Sequence, residues 1–195
     1  MSDHGVTARQ EPTRCTWCGE DELYVAYHDL DWGVPKHDDA TLFELLTLEG
    51  AQAGLSWLSV LRRREGYRRV FERFDPLQVA QLSDARLAAI MEDPGVIRHR
   101  QKIASVITNA RAIVALRLEG EYSSFAHYAW SLSNPRIEGA SNALEMSKHL
   151  RRDGFTFVGP TICLSFLQAS GMRNDHAREC FRYDEIEALR AQART

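Results

Sequence analysis

The sequence predicts a single all-α domain, and three observations carry that prediction. Apolar residues recur at helical spacing in one segment after another. Asp, Ser and Pro stand where helices would start, and no stretch alternates apolar and polar residues as a half-buried strand does. Asp38-Asp39 opens the first stripe, Ala40, Leu42, Phe43, Leu45, Leu46 and Leu48. A second run, predicted as one helix over 56–73, carries Trp57, Leu58, Val60, Leu61, Val70 and Phe71. Asp75-Pro76 starts a short helix, since Pro is tolerated where the first N–H has no partner, and Ser83 caps another through Met91. Pro94-Gly95 then breaks the chain before a long helix over 98–118, striped by Ile103, Val106, Ile107, Ala110, Ile113, Val114 and Leu116. Helices are expected over Ser123–Leu132 and Ser141–Arg151, an apolar hairpin after Gly154, a helix over 160–169 and a last one starting at Asp175. Residues 1–14 read as a disordered tail, 15–183 as the domain and 184–195 as a helical extension or tail.

Composition narrows the class. Hydrophobic residues at 44% suffice for a packed core, and no apolar run approaches the ~20 residues that span a bilayer, so no membrane partner is expected. The amino-terminal residues lack the apolar centre of a secretory signal. Four cysteines in such a chain point to a reducing compartment, the cytoplasm, and to metal or free thiols over disulfides. The formal net charge of −3 opposes a nucleic-acid partner unless local basic clusters supply the contact. Such clusters occur at Arg62-Arg63-Arg64 with Arg68-Arg69, at 98–102 and at 148–152; on charge alone each reads as a solvated helix face.

Four constellations could carry chemistry. His176 and Cys180 are four residues apart, which a helix places on one face, and Cys15 waits near the other end. Cys15 could complete a tetrahedral zinc site with either Cys18 or His28, and the spacing leaves both pairings open. Cys163 falls in an apolar stripe and reads as a small buried hydrophobe. Trp17, Tyr24, Tyr27 and Trp32, with Trp57 farther on, form either ordinary core or a stacking pocket for a flat heterocycle. Glu49 ends an apolar stripe and leads into the small-residue run Gly50-Ala51-Gln52-Ala53-Gly54, where a ligand could approach. The turn 154–161 could expose backbone N–H groups to a phosphate.

Taken together, Tyr-Val-Ala-Tyr-His-Asp-x-x-Trp-Gly-Val-Pro (24–35), Leu-Glu-Gly-x-Gln-Ala-Gly-Leu-Ser-Trp (48–57), Ile-Arg-His-Arg-x-Lys-Ile (97–103), Phe-Val-Gly-x-Thr-Ile-Cys (157–163) and Asn-Asp-His (174–176) closely resemble the DNA-3-methyladenine glycosylase I family, from Cys15 to Cys180. The resemblance implies a helix-hairpin-helix DNA glycosylase-like fold with a zinc site joining the two terminal segments. Its ligands fall on Cys15, His28, His176 and Cys180, one structural zinc ion per chain, leaving Cys18 outside the pattern. Glu49 matches the base-contacting catalytic carboxylate, and Tyr24, Tyr27 and Trp57 the pocket aromatics, with Trp17 and Trp32 close by. Leu55, after Gly54, matches the side chain that wedges into the duplex, while Val158, Gly159 and Thr161 fall on the phosphate-gripping hairpin.

The implied activity is base-excision repair, in which 3-methyladenine is flipped from DNA and its N-glycosidic bond hydrolysed. Where other helix-hairpin-helix enzymes carry a catalytic Asp and a nucleophilic Lys, this chain has Asn174 and Thr161, so no lyase step is expected. The expected partners are alkylated double-stranded DNA and free 3-methyladenine as product, with the chain acting as a monomer. A competing reading is a zinc-stapled module that binds damaged or bent DNA without chemistry. Glu49 beside an intact Tyr/Trp set argues against it, because a mere binder has no use for a base pocket. A hydrolase using catalytic zinc is disfavoured because four protein ligands leave no open position for water.

Overall fold

A computed structural model describes residues 12–133 and 139–193. All regular structure among them is helical. A 3-10 turn (Thr16–Cys18) precedes α1 (Glu22–Leu30), α2 (Asp39–Gln52), α3 (Trp57–Leu61), α4 (Arg64–Val70), α5 (Pro76–Val79), α6 (Asp84–Glu92), α7 (Arg100–Leu118), α8 (Phe125–Leu132), α9 (Gly139–Arg152), α10 (Pro160–Ala169) and α11 (Tyr183–Gln192). Starts follow the capping signals: Asp38, Ser56, Asp75, Ser83 and Ser124 each accept a first-turn backbone N–H through the side chain. The buried stripe of α2 meets α7, α8 and α10 in one continuous core, where Phe43, Phe74, Phe125, Tyr128 and Phe166 are fully enclosed.

Three departures from expectation have local causes. Helix α1 carries no apolar stripe: Leu23 and Leu30 stand 42% and 76% exposed while the inward face is Tyr27 and His28. Hydrophobic periodicity therefore does not reveal it. The helix expected over 56–73 divides at Arg62-Arg63 and again at Glu72, Arg73 and Phe74, which all adopt positive φ. Left-handed backbone is unfavourable for such residues, and here it turns Phe74 into the core against Phe43, 5.5 Å between ring centroids. The helix expected from Asp175 begins instead at Tyr183, so His176 and Cys180 lie on a turn closed by Cys180 N–H donating to the Ala177 carbonyl.

The hairpin after α9 is tightly built. Phe155 N–H donates to the Leu150 carbonyl and Gly154 N–H to that of Arg151, with Gly154 at φ +89°, the pattern that closes a helix through a left-handed glycine. Phe155 anchors the turn between Phe125 and Tyr128. Residues 1–11 of the expected tail lie outside the described residues; Thr13 accepts from Phe181 N–H and Arg14 pairs with Asp29.

Candidate active site

Helix α2 delivers Glu49 in its last turn, 5% exposed, at the negative end of the helix dipole. Burial alone pushes its carboxyl from the usual 4.5 up to about 8, with no cation beside it to offset the desolvation. It sits in a pocket of about 260 Å³ whose walls include all five expected aromatics, Trp17, Tyr24, Tyr27, Trp32 and Trp57. Tyr27 and Trp57 pack at 5.4 Å, Trp17 and Tyr24 at 5.2 Å, and Trp17 and Trp32 at 4.8 Å. Burial, then the nearby Glu49 carboxylate, hold the Tyr27 phenol well above its ordinary range. The Trp57 indole N–H is buried without an acceptor, an orphan donor such as a bound polar ring could satisfy.

Four polar residues of this pocket were missed in the sequence: Gln52, Ser165, Gln168 and Asp175. Ser165 and Gln168 are one turn apart on α10, a spacing that signals a shared face but not what it faces. Asp175 is held by Gln168 at 2.5 Å and Arg173 at 2.6 Å. Asn174 is spent on the turn instead: its amide donates to the Tyr183 carbonyl and its oxygen accepts from His176 N–H.

Glu49, Gln52 and Ser165 are shared with a second, larger cleft of about 620 Å³. One wall is Ala53, Gly54, Leu55 and Ser56; the other is Gly159, Pro160, Thr161 and Ile162 at the start of α10. Gly54 takes φ +82° and leaves Leu55 at the cleft edge, 44% exposed. Gly159 offers no side-chain cap and Pro160 no N–H, so the next first-turn amides lack intrahelical acceptors, an arrangement that suits an anion. The Val158 side chain points into the core, where its carbonyl accepts from Ser147 and Cys163, so only backbone is presented there. Cys163 is fully buried, as expected.

Cys15, His28, His176 and Cys180 are all buried, with candidate ligand atoms within 4.8 Å of one another. Zinc bond lengths of about 2.3 Å to sulfur and about 2.0 Å to nitrogen set S···N edges of about 3.5 Å in a tetrahedron. The observed distances are 3.6 Å for Cys15 Sγ–His176 Nδ1, 3.5 Å for Cys180 Sγ–His28 Nε2 and 3.5 Å for Cys180 Sγ–His176 Nδ1. Cys18, although buried nearby, is outside the group. His28 Nδ1 meets Asp29 at 2.7 Å, His176 Nε2 meets the Trp32 carbonyl, and Ala177 N–H donates to Cys15 sulfur, the outer contacts that orient metal ligands. Burial pushes the Cys15 thiol up to about 11 and His176 down to about 4, so a bound cation is what would make these thiols good ligands. The donor set and its geometry fit zinc.

Most of the first basic cluster is consumed internally. Arg64 bonds Asp31 and Glu44, Arg68 bonds Glu44 and Glu65, Arg69 bonds Asp93 and Arg62 bonds Asp21. These guanidiniums tie α1, α2 and α4 together.

A hairpin with free first-turn amides, an exposed leucine and an aromatic pocket beside one cleft suit one task, taking a base out of a duplex and holding it. That defines the class: a helix-hairpin-helix DNA glycosylase. Among known proteins, the family described as methyladenine glycosylase matches residues 17–183. DNA-3-methyladenine glycosylase 1 of Escherichia coli is 45% identical over 182 residues, covering 87% of this chain and 96% of that protein. The Haemophilus influenzae DNA-3-methyladenine glycosylase is 40% identical, covering 86% and 96%. A Staphylococcus aureus 3-methyladenine DNA glycosylase I structure superposes with a TM-score of 0.81 at 34% identity, covering 87% of this chain and 96% of that one. The chain belongs to the methyladenine glycosylase family.

Proposed function

We propose that this chain excises 3-methyladenine from alkylated double-stranded DNA, hydrolysing the N-glycosidic bond and leaving free base and an abasic site. The observation that carries the proposal is Glu49, a buried carboxyl raised by desolvation inside an aromatic pocket, where a cationic base would supply the missing counter-charge. A solved relative, 33% identical with a TM-score of 0.80, holds 3-methyladenine.

Methylation at ring nitrogen 3 leaves the adenine of DNA positively charged and already a good leaving group. The work left to the protein is to extrude the nucleotide, a cost of a few kcal/mol in lost stacking, and to hold it. Leu55 and Gly54 fill the gap in the duplex while the hairpin backbone at Val158, Gly159 and Thr161 grips a phosphate. Tyr24, Tyr27 and Trp57 stack on the base, backed by Trp17 and Trp32, adding about 1–3 kcal/mol per stack and a cation–π share. Glu49 accepts hydrogen bonds from the exocyclic amine and is the catalytic carboxylate. Charge moves onto the sugar as the bond breaks, so gripping the cation alone would stabilise the ground state most.

Cys15, His28, His176 and Cys180 would hold one zinc ion, a closed set that supplies a staple between the termini and no site for water. Trp17 and Trp32 pack on His28 and His176, which links that staple to the pocket wall. The protein acts as a monomer in the cytoplasm, in keeping with four cysteines outside any disulfide and bacterial relatives. Incubation with methylated duplex should release free 3-methyladenine, resolved by chromatography. Absence of release from a substrate cleaved by a positive-control enzyme would overturn the proposal.

A further inference from the structure

The two walls of the 620 Å³ cleft belong to segments far apart in sequence, yet both are pinned to one helix. Lys102 Nζ donates to the Ala51 carbonyl at 3.0 Å and to the Ala53 carbonyl at 2.6 Å. These lie at the end of α2, where carbonyls lack intrahelical partners and a cation is favoured. Lys102 stands in the first turn of α7, which has no acidic residue, so at home its charge opposes the helix dipole. Reaching across to α2 reverses that sign.

Seven residues along α7, on the same face and about 10 Å away, Asn109 grips the hairpin at Thr156, three residues before the other wall. Its amide donates to the Thr156 carbonyl at 3.1 Å and its oxygen accepts from Thr156 N–H at 2.8 Å. Asn109 is 3% exposed and pairs with the backbone at both ends of its amide. Phe157, next in the hairpin, has φ +54°, a conformation that needs such support.

We propose that α7 is the strut that sets the gap between the leucine wedge and the phosphate-gripping hairpin, with Lys102 and Asn109 as its two positioning residues. Neither lines the base pocket. Lys102 locks the carbonyls on either side of Gln52, so Leu55 projects from a loop that cannot sag. Asn109 fixes the hairpin at a set distance from that loop. A duplex held at both points is therefore bent to the spacing that α7 dictates. The inference rests on the cleft being where DNA is engaged.

The test uses Lys102→Met, Lys102→Arg and Asn109→Ala in the full chain, read by two probes. One is a duplex with a tetrahydrofuran abasic analogue; the other is free 3-methyladenine, followed by tryptophan fluorescence. Lys102→Met and Asn109→Ala should each weaken duplex binding by about tenfold, the effect of losing a hydrogen-bonded support. Free-base affinity should stay within about twofold, and Lys102→Arg should recover most of the duplex affinity. Unchanged duplex binding, equal losses with both probes, or Lys102→Arg no better than Lys102→Met would overturn the strut. Asn109→Ala carries the test if Lys102→Met does not fold. A parent protein that binds the duplex but not free base would sink the pocket reading instead, leaving the duplex arm to judge the strut.

Discussion

Cys15 Sγ lies 3.6 Å from His176 Nδ1 although 161 residues separate them, so the first and last parts of the domain meet at the candidate metal site. All four residues of the group, Cys15, His28, His176 and Cys180, are buried there.

Metal analysis should find one zinc ion per chain. Cys180→Ser should lose it and destabilise the fold by about 3 kcal/mol or more, a fraction of what structural zinc supplies. Its preference among alkylated bases should change less. Cys18→Ser should keep the ion, and loss of zinc there with retention in His28→Ala would show that the other cysteine is the ligand.

Glu49 makes a distinct prediction for pH. Its carboxyl is raised from 4.5 to about 8 in the folded chain, so the folded state keeps a proton that the unfolded chain has released. Stability from this group is full below pH 4.5 and declines as pH rises through about 8. At about 1.4 kcal/mol per pH unit, the loss approaches roughly 5 kcal/mol. Glu49→Gln should flatten that decline in urea titrations between pH 5 and pH 8. It should also weaken binding of free 3-methyladenine, and a variant that binds and cleaves like the parent would remove Glu49 from its assigned role.

Trp57→Ala should weaken free-base binding by roughly 1–3 kcal/mol, the range for a lost stack. Because Trp57 is only 7% exposed, folding must be followed by thermal melting alongside. Trp57→Phe, which keeps a ring, should retain most of the affinity; a Phe variant as weak as Ala would mean that the indole N–H, not the stack, matters.

The product should be an intact abasic site. Thr161 offers no amine to form a Schiff base, and Lys102, the amine against the wedge loop, is tied to two carbonyls. Borohydride added during turnover should trap no covalent protein–DNA adduct, and strands should break only on alkali or heat. A trapped adduct would reveal an amine acting at the sugar.

Salt should weaken binding to abasic duplex only gently, because Arg62, Arg64, Arg68 and Arg69 are already paired with carboxylates. Plotted against salt concentration on logarithmic axes, the slope should reflect few neutralised phosphates. A slope near −10, as for a repressor with many phosphate contacts, would require these ion pairs to open onto DNA.

Much of this was legible in the chain itself. Pro160–Ala169 matches the helix expected over 160–169, because a Gly-Pro start and an apolar run are local signals. The pocket aromatics, Glu49 and His28 as the partner of Cys15 were expected from the family resemblance, since spacing alone left each with a bland alternative, and the structure brings them together. Helix α1 was not, since its buried face is Tyr27 and His28 and its apolar side chains face water. Asp175 entered the pocket unannounced because its neighbour Asn174 turns the chain there.

By itself, then, the sequence determined helix content and most helix starts, consequences of residue type and short-range spacing, while the ring set and the ligand set followed from its resemblance to a family and not from spacing. Only tertiary structure decided that burial raises the Glu49 carboxyl, that Arg62, Arg64, Arg68 and Arg69 are paired with carboxylates, and that Lys102 braces a helix it does not belong to. The reason is physical. Desolvation, ion pairing and the capping of one helix by another depend on distances between segments remote in the chain, and no local preference encodes those distances.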